Sequence, residues 1–145
     1  MLRYQRFDEL PAWQEAGRLY HRVLDLLEEA KVPLSPSFRG QLERAALAVS
    51  SHIAESRDRM PSGEMLSHLS EARAAAAEVQ SMVAVISQRQ KLSKFSEPLQ
   101  QIRTLSESCT RQLSAWMGSI ENPGRSKGGS AEATRGSETT GSPGR

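Results

Sequence analysis

The stretch SSHIAESRDR, residues 50–59, gathers serines, a histidine and closely spaced charges at the end of a helix-forming segment. Ser, His and acidic residues form hydrolase triads only when they converge on one point from different elements, whereas neighbours on one helix fan outwards. His52 and Glu55 are three residues apart and could share an ion, but two ligands do not complete a transition-metal site, which favours a solvated pair. We therefore expect no catalytic centre here.

The other histidines give no metal motif either. Di-iron four-helix bundles need a Glu three residues before a His on each of two helices. The residues three before His21, His52 and His68 are Arg18, Val49 and Met65, so this motif is absent. His68 lies beside an apolar helical stripe, one turn from Glu64 and three residues from Glu71, which favours a structural histidine.

The remaining chemistry-bearing residues do not indicate an enzyme. Cys109 is the only cysteine, which excludes an internal disulfide and a cysteine-based zinc cluster. Its position on an apolar helical face favours a small core residue over a nucleophile. No glycine-rich loop follows a strand, so no nucleotide cradle is present. We expect neither catalytic residues nor a bound cofactor, metal or small-molecule substrate.

Arginines are the better candidates for binding. A guanidinium can grip phosphate through a rigid bidentate fork. The chain has 19 basic and 17 acidic residues, a mixed surface that permits nucleic acid without demanding it. Each candidate also lies near carboxylates, so a salt-bridged, solvated face is the alternative for any one of them. The candidate nucleic-acid-binding residues are Arg18, Arg22, Arg44, Arg57 and Arg59.

Four amphipathic helices must position these side chains. The first is predicted from Asp8, a candidate N-cap, to Ala30, and the second begins near Ser37 after two prolines. The third runs from a cap at Ser62 to about Gln90. The fourth follows a candidate cap at Ser96, carries Pro98 in its first turn and ends near Ile120.

Apolar residues recur three and four apart in all four segments, and no segment alternates with the period of a strand. Short connections between amphipathic helices are typical of an antiparallel, up-down four-helix bundle, so we predict an all-α fold. We predict that the apolar stripe of the fourth helix is buried in the core along its whole length. It consists of Leu99, Ile102, Leu105, Cys109, Leu113, Trp116 and Ile120.

The bundle is predicted to occupy residues 1–120 as one domain. Residues 121–145 are rich in Gly, Ser and Thr and contain no Leu, Ile, Val or aromatic residue, which predicts a disordered tail. This tail is either a weak nucleic-acid arm or, as its three glutamates favour, a solubilising extension. The chain shows neither a signal peptide nor a continuous apolar run of membrane-helix length, so we expect a cytoplasmic protein.

Three segments together carry a family resemblance: RFDELPAWQEAGRL (6–19), QLERAALAVSSHIAES (41–56) with Arg59, and GEMLSHLSEARAAAAEV (63–79). Their order and spacing resemble the small four-helix bundle proteins encoded in bacterial 23S rRNA intervening sequences. His52 stands where the family usually has Asn, Ser56 replaces a Gly, and Ala74 with Ala75 replace a Gly-Ser pair. The matching positions are Gln41, Leu42, Arg44, Ala45, Ala46, Ile53, Ala54, Glu55, Arg59, Leu66, Leu69, Ala72, Arg73 and Glu78.

The resemblance implies a non-enzymatic homo-oligomer. Related bundles assemble as ring-shaped homopentamers, and one branch serves as the accessory protein of reverse transcriptases in diversity-generating retroelements. We therefore expect binding of structured RNA or a ribonucleoprotein partner, with a reverse transcriptase as one candidate. A protein-interaction scaffold without nucleic-acid affinity is the alternative.

Overall fold

The structure, a computed structural model, describes residues 6–58 and 63–122. These residues form four helices and two short 3₁₀ segments, and the described ranges contain no strand. The predicted all-α fold with four helices is confirmed. The helices are α1 (Pro11–Leu27), α2 (Pro36–Arg57), α3 (Gly63–Ile86) and α4 (Ser96–Glu121), and the 3₁₀ segments are Phe7–Glu9 and Gln90–Phe95.

Side-chain contacts give the direction of each helix relative to the next. In every consecutive pair of helices, contacts made nearer the end of the first helix lie nearer the start of the next one. This is the pattern of an antiparallel bundle. The contacts are Tyr20 with Glu43 and Arg39 with the Leu27 carbonyl for α1–α2, Gln41 with Glu78 and Glu55 with His68 for α2–α3, and Gln80 with Glu107 and Arg73 with Ser114 for α3–α4.

This order gives the bundle two different ends. The two-loop end holds the connections from α1 to α2 (28–35) and from α3 to α4 (87–95). The one-loop end is where α2 ends and α3 begins, and it also holds the start of α1 and the end of α4. Each candidate side chain can therefore be assigned to one end or the other from its position along its helix.

The start of α1 differs from the prediction. Asp8 is not an N-cap: it lies in the first 3₁₀ segment, where Arg6 donates to its carboxylate at 2.7 Å. The helix begins at Pro11 behind Leu10, which provides no side-chain cap. Proline has no N–H to satisfy and its fixed φ suits the first helical position, so α1 can begin without a polar cap.

Other helix limits also differ from the predicted ones. Ser35 caps α2 by accepting from the Phe38 N–H at 3.1 Å. Ser96 is the first residue of α4 and not its cap, because the residues before it form the second 3₁₀ segment. α1 and α3 end at Leu27 and Ile86, three and four residues before the predicted limits. The predicted cap at Ser62 lies outside the described residues, as do residues 123–145 of the predicted tail.

Arg39 holds the α1–α2 connection together. Its guanidinium donates to the carbonyls of Leu27 at 2.8 Å, Val32 at 2.8 Å and Leu34 at 3.1 Å. Carbonyls at a helix C-terminus and in the following loop have no helical partner and need donors. Arg39 supplies three of these donors, so its role is structural.

The core stripe of α4 is rotated slightly from the predicted one. Ser106 and Met117 are buried, while Leu105, Trp116 and Ile120 are only partly buried at the edge of the core. Whole turns of 3.6 residues counted from Leu99 reach positions close to 106 and 117 and not 105 and 116. Trp116, predicted to be a large buried aromatic, is therefore only partly buried against the core.

Candidate nucleic-acid interface

Arg18 is committed to a carboxylate of its own helix. Its Nη2 and Nε donate to Oε1 of Glu15 at 2.7 and 3.0 Å, and the Ser108 hydroxyl on α4 donates to the other oxygen. Burial acts to raise the pKa of Glu15, but the hydrogen bonds from Ser108 and Arg18 outweigh it and the net pKa is lowered. A phosphate would have to compete with a well-satisfied carboxylate for Arg18.

Arg22 makes a weaker pair on the surface. Its Nη1 lies 3.1 Å from Oδ2 of Asp25, and about half of each side chain or more is exposed. Such exposed pairs contribute about 0 to 1 kcal/mol, so this guanidinium is easily redirected. Arg22 also lines a shallow groove against α4 that includes Glu97 and Gln100.

Arg44 is exposed on α2 and makes neither a hydrogen bond nor an ion pair with any other residue in the described part of the chain. Its Nη1 lies 3.1 Å from the point that a Cβ on Gly40 would occupy. The glycine one turn earlier therefore makes room for the guanidinium against the helix. Of the two candidates on α2 that the structure describes, Arg44 has the more exposed side chain.

Arg57 is half-buried in the last turn of α2, at the one-loop end, and Arg59 lies outside the described residues. Arg44 and Arg57 are thirteen residues apart on one helix, a rise of about 20 Å. The four described arginines therefore do not form one continuous patch on a single chain.

Three lysines that sequence reasoning overlooked lie together at the two-loop end. Lys31, Lys91 and Lys94 line an open recess of about 490 Å³ between the two connections, with Glu29 and Phe95 also on its wall. All three are exposed, and none is within ion-pair distance of a carboxylate among residues 6–58 and 63–122. The three lysines therefore give the recess an excess of positive charge over Glu29, the one acidic residue on its wall.

A local signal for this patch was present in the sequence. RQKLSK, residues 89–94, has three basic residues and no acidic one. Leu92 in its middle is 1% exposed and anchors the second 3₁₀ segment to the core, which leaves Lys91 and Lys94 outside. Lys31 belongs to the other connection, so its proximity could be found only from the antiparallel packing.

In the described residues, no helix is both long and apolar enough to cross a membrane.

A search of curated proteins found no significant match to the sequence. The family model described as "23S rRNA-intervening sequence protein" matches residues 8–115, which include most of all four helices. Because this match covers well over half of the sequence, the chain belongs to the 23S rRNA-intervening sequence protein family.

Proposed function

We propose that this protein is a non-enzymatic, oligomeric bundle that binds structured RNA or a ribonucleoprotein partner. The observation that carries the proposal is the group of three lysines around one recess at the two-loop end, without a described carboxylate in ion-pair range. Phosphates supply most of the affinity in sequence-independent nucleic-acid binding. Lysines bind them as mobile point charges that tolerate many backbone geometries.

Of the candidate arginines that the structure describes, Arg22 and Arg44 lie nearest the two-loop end. Both lie in the halves of their helices nearer the two-loop end, and neither is held by a buried carboxylate. A single subunit would then make only a few phosphate contacts. Repeating the patch in an oligomer raises the effective concentration and the number of contacts, so a ring compensates for the small net charge of +2.

The chemistry of Cys109 supports a non-enzymatic role. The thiol is buried, and burial, with the charge of Glu15 as a second cause, raises its pKa to about 12. The thiolate is the nucleophilic form, so very little of it would exist at neutral pH. Cys109 is thus a poor candidate for nucleophilic catalysis.

A protein-interaction scaffold without nucleic-acid affinity is the second proposal, whereas a reverse transcriptase belongs to the first as a candidate ribonucleoprotein partner. Leu47 on α2 and Val85 on α3 favour the scaffold, since their side chains are 45% and 61% exposed. Single exposed apolar residues are common on ordinary surfaces, so this observation carries less weight than the lysine group.

The test is the salt dependence of binding to a hairpin RNA, measured by fluorescence anisotropy with increasing KCl. The variant Lys31→Ala/Lys91→Ala/Lys94→Ala should bind more weakly, and the magnitude of its salt slope should fall by about one for each lysine. The control Arg73→Ala/Arg103→Ala/Arg111→Ala removes the same charge from α3 and α4 and should retain most of the slope. RNA binding with an unchanged slope in the lysine variant would overturn the proposal.

A second variant tests the arginines predicted from the sequence. Arg44→Ala/Arg57→Ala/Arg59→Ala should weaken RNA binding if these residues reach phosphate. Size measurement by light scattering must accompany it, because a fall to monomers would show that the arginines bridge subunits instead. Unchanged affinity and slope in an assembled variant would exclude a phosphate role at these positions.

A further inference from the structure

Two copies of the pattern His-x-x-Glu face each other across the α2–α3 interface. HIAE (52–55) lies on α2 and HLSE (68–71) lies on α3. Residues three apart share a helix face, so each pair points to one side of its own helix. Because the helices run in opposite directions, the two pairs meet within the half of the bundle nearer the one-loop end.

The distances show how closely they meet. Nδ1 of His52 lies 3.2 Å from Oε1 of Glu55 and 3.3 Å from Oε1 of Glu71. Nδ1 of His68 lies 3.3 Å from the same Glu55 oxygen. Candidate ligand atoms of His52, Glu55 and His68 all fall within 4.8 Å of one another, and the two imidazole centroids are 6.1 Å apart.

Hydrogen bonds alone satisfy this cluster poorly. His52 has one proton at most on Nδ1 but two carboxylates beside it. The Nδ1 atom of His68 is buried and has no hydrogen-bond partner among the described residues, although Glu55 is 3.3 Å away. Two glutamates and two neutral imidazoles also carry a formal charge of −2, which a divalent cation would neutralise.

The spacing suits such a cation. Zinc binds nitrogen and carboxylate oxygen at about 2.0 to 2.2 Å, and tetrahedral ligands at that distance are roughly 3.3 to 3.6 Å from each other. The three measured separations of 3.2 to 3.3 Å lie at or just below this range. Imidazole and carboxylate together suit zinc and other divalent transition metals better than magnesium or calcium.

We propose that His52, Glu55 and His68 form a binding site for a divalent transition-metal ion, with Zn²⁺ as the best match, and that Glu71 supports it from beside His52. The histidine side chains are 29% and 23% exposed and the glutamates 55% and 57%, so the histidines form the inner wall and the glutamates leave an entry path. With three protein ligands the ion would fasten α2 to α3, and water would complete its coordination. The proposal does not depend on RNA binding.

The experiment uses the full chain after treatment with a chelator and dialysis. Calorimetric titration with Zn²⁺ should show one ion per chain, and Co²⁺ should develop the visible absorption of a four-coordinate site. Bound metal should also raise the melting temperature, because an ion that binds only the folded state stabilises it by mass action.

Two variants test the ligands. His52→Gln/His68→Gln and, separately, Glu71→Gln should each weaken Zn²⁺ binding by at least about tenfold, since even outer-shell partners contribute about 10- to 100-fold. His21→Gln is the matched control, because His21 is an exposed histidine on α1 outside the cluster. Circular dichroism confirms folding, and the exposed Glu71 provides a variant that should leave the fold intact.

Three results would overturn the site. They are the absence of Zn²⁺ binding by the wild-type chain, Zn²⁺ binding that persists in folded cluster variants, and an equal loss in His21→Gln. The first would identify the cluster as a histidine–carboxylate hydrogen-bond network, and the other two would place the bound ion elsewhere on the chain.

Discussion

At the two-loop end, Lys31, Lys91 and Lys94 surround a recess without a described carboxylate in ion-pair range, whereas near the one-loop end two glutamates face two histidines. His52 lies seventeen residues beyond the Ser35 cap, so about 25 Å of α2 separates the regions. The lysines extend from connections into solvent, while the histidines and glutamates face one another across packed helices. The loops between helices thus present lysines without a described ion-pair partner, whereas the packed faces of α2 and α3 hold histidine and glutamate atoms at fixed distances.

The largest expected effect comes from removing the anchor of the two-loop end. Leu92→Ala deletes a side chain that is 1% exposed, and such changes destabilise folded proteins by about 2 to 5 kcal/mol. If the second 3₁₀ segment then loosens, Lys91 and Lys94 lose their fixed positions and RNA affinity should fall at temperatures where the helices persist. Denaturant unfolding gives the first quantity and anisotropy the second. A loss below about 1 kcal/mol would show that Leu92 does not hold this end.

Arg39→Ala should have the next largest effect. It removes a guanidinium that donates to three backbone carbonyls, and hydrogen bonds to charged groups contribute about 1.5 to 3 kcal/mol. We expect a loss of about 2 to 3 kcal/mol in the free energy of unfolding. Arg44→Ala, five residues later on the same helix, is the control and should change stability by less than about 0.5 kcal/mol. Equal effects of the two variants would contradict the structural role of Arg39.

Glu15 differs from the glutamates beside His52 and His68, because both of its carboxylate oxygens accept hydrogen bonds, one from Arg18 and the other from Ser108. Its lowered pKa means that the carboxylate stabilises the fold above the ordinary glutamate pKa of about 4.3, and that this contribution is lost as pH falls through the lower folded value. Glu15→Gln should therefore be less stable than wild type by about 1 to 2 kcal/mol at pH 7, with the difference shrinking in acid. Unfolding measured at pH 7 and pH 3 tests this. A difference independent of pH would show that shape, and not charge, matters at this position.

Helical periodicity was enough to predict the all-α fold, because the apolar positions of each helix depend on its own residues. It placed Trp116 and Leu105 within the buried stripe, whereas both lie partly buried at its edge, because a step of three or four residues only approximates the 3.6-residue turn. Contacts between helices could not be read in the same way. His52 and Glu55 were interpreted as a solvated pair since their partners on α3 are distant in sequence, and Lys31 was not grouped with Lys91 for the same reason.

The most direct test of a division of binding between the two ends is the salt slope of hairpin RNA affinity, measured side by side in two variants and the wild type. Lys31→Ala/Lys91→Ala/Lys94→Ala should lose about three from the magnitude of the slope, one for each lysine. His52→Gln/His68→Gln, changed at the other region, should keep the wild-type slope. A full slope in the lysine variant, or an equal loss in the histidine variant, would contradict the assignment of RNA binding to the two-loop end.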